Sequence, residues 1–71
     1  MKIWSSYNDV KTTVDQLYYY QNSFGKVPPL LVNAVKDILK YATKGQIREF
    51  YSYLSYKSPE LVSLFIDCQP D

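Results

Sequence analysis

The sequence predicts an all-α protein, a compact four-helix bundle or orthogonal helical array. Apolar side chains recur at spacings of three and four through four segments, which is the period of a helix. Helix-starting residues stand at the boundaries: Ser6, Pro28-Pro29, Thr43 and Ser58-Pro59. No competing strand pattern interrupts them. Residues 1–71 are therefore expected to form a single helical domain, with helices at about 6–22, 28–43, 44–57 and 59–68.

The first helix opens at Ser6, with Asp9 three residues on, in the manner of a capping box that has Asp in place of Glu. Val10, Val14, Leu17, Gln21 and Phe24 form its inward stripe. Ser23-Phe24-Gly25 is loop chemistry, so the helix is expected to stop near Asn22, and Gly25 can take a positive φ. Ile3 and Trp4 just precede the helix and are placed to fold back over its first turn.

Proline suits the first helical turn, where its missing N–H is not needed, so Pro28-Pro29 starts the second helix. Leu31, Ala34, Val35, Ile38 and Ala42 share one face of it, opposite Asn33, Lys36, Asp37, Lys40 and Lys44. Thr43 to Gln46 fits a full capping box for the third helix. The alternative has Gly45 closing the second helix. Ile47, Phe50, Tyr51 and Leu54 form the third stripe, which should end near Lys57. Ser58-Pro59-Glu60 then reads as a cap, a first-turn proline and an acid favoured by the helix dipole. "ELVSLFIDC" is apolar nearly all round, which suggests burial on more than one side.

A shift of 30 residues lays Leu17 on Ile47, Tyr20 on Phe50, Phe24 on Leu54, Pro29 on Pro59 and Leu31 on Leu61. Two duplicated helix-Pro-helix hairpins would produce this pattern. Chance alignment of two amphipathic segments around a proline would produce it as well.

Folding at this length buries only about 60% of the unfolded surface, so the core must be rich in large side chains. A content of 46% hydrophobic and 17% aromatic residues meets that need. Cys68 is the only cysteine and there is no histidine, so neither an internal disulfide nor a zinc site of the usual ligands is expected. No metal and no cofactor enter the reading. Eight basic and seven acidic residues are spread evenly for a net charge of +1, without the basic excess of a nucleic-acid domain. The start, "MKIWSSYND", lacks the apolar run of a signal peptide, and Gln16 to Gly25 is about half a membrane span. An unpaired thiol suits a reducing compartment, so a cytoplasmic location is expected.

Catalytic constellations are missing: there is no histidine base, no phosphate-binding loop, no nucleophile elbow and no dinucleotide fingerprint. The expectation is a non-enzymatic protein. What the chain has in surplus is tyrosine, eight in all, including Tyr18, Tyr19 and Tyr20 in a row. At roughly 100° per residue, Tyr18 and Tyr20 flank the buried stripe and Tyr19 points about 180° from it. Tyr56 faces outward on the third helix, Tyr53 lies at its margin, and Tyr41 flanks the second. Tyrosine is favoured in interfaces because it joins a large apolar area to a hydroxyl that tolerates water.

The sequence thus predicts a small protein-binding module, a regulator, inhibitor or adaptor, whose partner is another protein or a second copy of itself. Its contact residues would be Tyr19, Tyr41, Tyr53, Tyr56 and Trp4, with Lys40, Lys44 and Arg48 as a polar rim. The alternative is nucleic-acid binding of helix-turn-helix type through the basic stripe of the second helix, Lys36, Lys40 and Lys44, with Arg48. Against it, "PELVSLFID" starts with an acid and has no side chain suited to reading bases.

Overall fold

Three α-helices, α1 (Tyr7–Phe24), α2 (Pro29–Tyr41) and α3 (Lys44–Lys57), are followed by a 3-10 segment, Pro59–Cys68. The computed structural model describes residues 4–68, with side chains through Ile66. The expectations placed on Ile3 and on the Cys68 side chain lie outside the described residues.

Local chemistry sets the helix ends. Ser6 is extended, and its hydroxyl accepts the Asp9 N–H at 3.4 Å. The Asp9 carboxylate reaches Ser5 instead of Ser6, accepting from its N–H at 2.9 Å and its hydroxyl at 2.7 Å. Of the expected box the Ser6 half is in place, and the carboxylate half falls one residue earlier, on Ser5. α1 runs two residues past Asn22 because Gly25 takes φ 81° and donates its N–H to the Gln21 carbonyl at 3.0 Å. Glycine adopts this left-handed conformation without the Cβ clash that other residues meet. Pro28 caps α2, its carbonyl accepting from Leu31 and Val32. Thr43 and Gln46 bond reciprocally, each at 3.1 Å, which places Gly45 inside α3 and not at the end of α2.

The core is built from Val10, Val14 and Leu17 of α1, Val35 and Leu39 of α2, and Phe50 and Leu54 of α3. Leu61, Phe65, Val27 and Trp4 complete it. α1 packs mainly on α3, α3 on the 3-10 segment, and the 3-10 segment on α2. A radius of gyration of 11.0 Å equals the ~11 Å of a packed chain of this length, so the core closes within one copy. Among the described residues every buried side-chain polar atom has a hydrogen-bond partner.

The structure corrects four details. Phe24, expected on the inward stripe, is 66% exposed, because the last turn of α1 overshoots the core. In α2 the buried pair is Val35 and Leu39, while Ala34 is exposed, so the inward stripe is turned by a fraction of a turn. The last segment is 3-10, with the Leu61 N–H bonding back to Ser58 at 3.0 Å and non-helical torsions at Phe65. It buries Leu61 and Phe65 but leaves Leu64 and Ile66 exposed, so it covers the core on one side only.

The two halves also pack differently. α3 lies closely on its following segment whereas α1 and α2 meet only weakly, and exposed Phe24 corresponds to fully buried Leu54. The 30-residue likeness is one of pattern and does not extend to packing.

Candidate protein-contact surface

Trp4 leaves the set of expected contact residues. It is 5% exposed, its ring lies 5.3 Å from that of Phe50, and its indole N–H donates to the Thr13 hydroxyl at 2.9 Å. The Gln46 side chain donates to its carbonyl at 3.1 Å, tying the N-terminal arm to α3. Residues 4 to 6 are thus a strap over the core. A large ring with a single polar edge gains most when buried with that edge bonded.

The tyrosine triplet divides three ways. Tyr18 turns toward α3, where the Lys57 ammonium sits 5.8 Å from its ring centre. Tyr20 turns the other way, packs partly against the core, and stacks on Phe24 at 5.8 Å. Tyr19 stays between them, 59% exposed, edge-on to Tyr20 at 5.6 Å and to Phe24 at 6.3 Å. Helical angle alone accounts for this, since successive residues point about 100° apart and only one stripe can face the core.

Two aromatic clusters result. The first spans α1 and α3. Tyr53 and Tyr56 stack at 6.4 Å, Lys11 and Lys57 stand 5.9 and 5.7 Å from the Tyr53 ring centre, and the Tyr53 hydroxyl donates to Asp15 at 3.3 Å. Lys57 also pairs with Asp15 at 3.9 Å. Tyr56 is 81% exposed, so the outer face of this cluster is largely open to solvent. The second cluster surrounds the α1–α2 turn, where Tyr20, Phe24, Lys26, Pro28 and Pro29 line an open groove of about 380 Å³. A neighbouring groove of about 470 Å³, lined by Thr12, Asp15, Gln16, Tyr19, Tyr20 and Leu31, runs along the outside of α1. Tyr20 belongs to both grooves and Asp15 joins the second groove to the first cluster.

The expected rim lies elsewhere. In α3, Tyr53 is five residues beyond Arg48 and nine beyond Lys44, or about 140° and 180° around the axis. Lys40 pairs with Asp37 at 3.6 Å on α2. The cations beside the tyrosines are Lys11 and Lys57, flank positions on the two helices that a search for a basic stripe passes over. Tyr41 is 65% exposed at the C-terminal end of α2, as expected, but no ring contact joins it to either cluster. The segment after α3 is 3-10 with Glu60 in its first turn, while Lys36, Lys40 and Lys44 of the basic stripe lie on or just after α2.

Sequence reasoning also passed over Leu30, which is 82% exposed. Its angle was available, since it lies about 140° from Val35 on the α2 wheel. None of the described helices is long and apolar enough to cross a membrane, and no group of metal-ligating side chains gathers among the described residues. Comparison with known proteins gives no matching family model, no matching curated protein and no matching solved structure.

Proposed function

We propose that this chain is a non-enzymatic protein-binding module of the cytoplasm, a small regulator, inhibitor or adaptor that works through its tyrosine-bearing surface. One observation supports this above the others. The core closes on aliphatic residues with Trp4, Phe50 and Phe65, while Tyr7, Tyr18, Tyr19, Phe24, Tyr41 and Tyr56 remain exposed. Scattered exposed rings are ordinary, whereas rings gathered in groups, here Tyr19 with Tyr20 and Phe24 and Tyr56 with Tyr53, are the usual composition of a contact surface. Lys11 and Lys57 supply the charged margin of the α1–α3 cluster, where Asp15 accepts from the Tyr53 hydroxyl and pairs with Lys57.

The test is the double substitution Tyr19→Ser with Tyr56→Ser. Both side chains are exposed, so each change is expected to move stability by no more than about 0.5 kcal/mol. Binding to the partner should fall sharply, because rings at the centre of an interface contribute most of its affinity. Unchanged stability together with unchanged mass and unchanged captured proteins would refute the proposal.

A further inference from the structure

We infer that the groove at the α1–α2 turn takes an acidic peptide segment of another protein, which seats an apolar side chain against Phe24 while a neighbouring carboxylate pairs with Lys26. The inference rests on the contact-surface reading above and names the chemistry of its partner. The groove follows from how α1 ends. The left-handed turn at Gly25 stops the helix only after Phe24 has passed the core, which leaves that ring 66% exposed. Tyr20 stacks on it at 5.8 Å and Tyr19 meets it edge-on at 6.3 Å, so the ring is held in place before any ligand arrives. Pro28 and Pro29 line the same groove with residues whose φ is fixed and whose nitrogens have no hydrogen to donate. A seat of this kind recognises apolar shape.

Charge decides what stands beside that shape. Lys26 is the only charged side chain lining the groove. Lys57 pairs with Asp15 and Lys40 with Asp37, whereas Lys26 is exposed and has no ion pair among the described residues. A carboxylate next to the seated side chain complements it, and that sign of charge selects the partner. A second copy of this chain would instead bring Lys26 toward its own image. A lipid surface calls for a cluster of basic residues and a nucleic-acid strand for several phosphate contacts, where the groove supplies one cation. A free small ligand is ordinarily about 70–90% buried in its site, which a groove open to solvent does not provide. A peptide continues past the rim and needs no enclosure.

The probe is an end-capped hexapeptide with adjacent phenylalanines between pairs of glutamates, titrated into the isotopically labelled full chain. Amide NMR shifts should move at Phe24 and Lys26 and not at Tyr56, with a dissociation constant of about 0.1–1 mM, the weak range of a short flexible ligand. Replacing the glutamates of the probe by lysines should weaken binding at least ~10-fold. Lys26→Glu should invert that preference, and Phe24→Ser should weaken the acidic probe at least ~10-fold. Both positions are exposed, so circular dichroism should show helix content unchanged.

No shift at about 5 mM peptide, equal binding of the two probes, or a preference unmoved by Lys26→Glu overturns the inference. So does the same pattern of shifts on raising the chain's own concentration or on adding a thymidine oligonucleotide, which would give the groove to a second copy or to nucleic acid. Any of these results leaves the broader contact-surface proposal to the Tyr19→Ser/Tyr56→Ser experiment, which also reads Tyr56, outside the groove.

Discussion

Replacing Trp4 by alanine separates a buried strap from an exposed arm. A ring of this size buries about 200 Å². At ~25 cal/mol per Å² its transfer term is about 5 kcal/mol, or about 3–4 kcal/mol once a partly compact unfolded chain is allowed for. The cavity left against Phe50 adds to this. Polar groups add little. The Thr13 hydroxyl keeps its own bond to the Asp9 carbonyl at 3.0 Å, and Gln46 still reaches the residue 4 carbonyl, so neither is stranded.

A loss of about 4 kcal/mol follows, against a total of roughly 4–10 kcal/mol for a chain of this length. With a urea slope near ~1 kcal/mol/M, the midpoint falls by about 4 M, enough to leave a large part of the variant unfolded in buffer. Urea titration followed by far-ultraviolet circular dichroism reads this directly, because the variant has lost the chain's single tryptophan. In the native chain that same tryptophan should fluoresce as a buried indole and shift to the red on unfolding. A variant within about 0.5 kcal/mol of the native chain, or native emission already at the position of free indole in water, would refute the strap.

The glycines give opposite signs. Gly25→Ala should cost about 1 kcal/mol through its positive φ alone, since the space around it is open. Gly45→Ala should gain up to ~0.5 kcal/mol from helix propensity, since the Tyr7 hydroxyl 3.3 Å away is on a side chain free to shift; thermal melts of the two variants decide both. Thr43→Ala removes one half of the α3 capping box and should cost about 1 kcal/mol, seen as a Tm lower by about 4–8 °C. Asp15→Asn should change stability by less than about 1 kcal/mol, as an exposed pair does, and the difference should shrink further in high salt.

Helix existence was readable because it depends on near neighbours in sequence. Apolar spacing, the Thr43–Gln46 box and the two-proline start of α2 act within one or two turns, and each stands where it was expected. The placement of Tyr19 and Tyr56 followed from helical angle for the same reason. Trp4 folds back onto α1 as its position suggested, but it was wrongly set among the contact residues because its burial depends on Thr13, Gln46 and Phe50, partners 9, 42 and 46 positions away, which no local pattern brings together. The charged rim was misplaced likewise. Lys57 and Lys11 are separated by most of the chain, and only the packing of α1 on α3 sets both beside Tyr53.

By itself, then, the order of residues determined where helices begin, how they turn, and which rings have no room in an aliphatic stripe. Tertiary packing decided that the N-terminal arm closes the core, that the last segment tightens into a 3-10 turn beneath Tyr51, and that Asp15 of α1 meets Tyr53 and Lys57 of α3. The division follows the range of the forces. Caps and helical angle act over one or two turns, whereas burial and ring packing depend on which distant side chains the closed chain brings within reach.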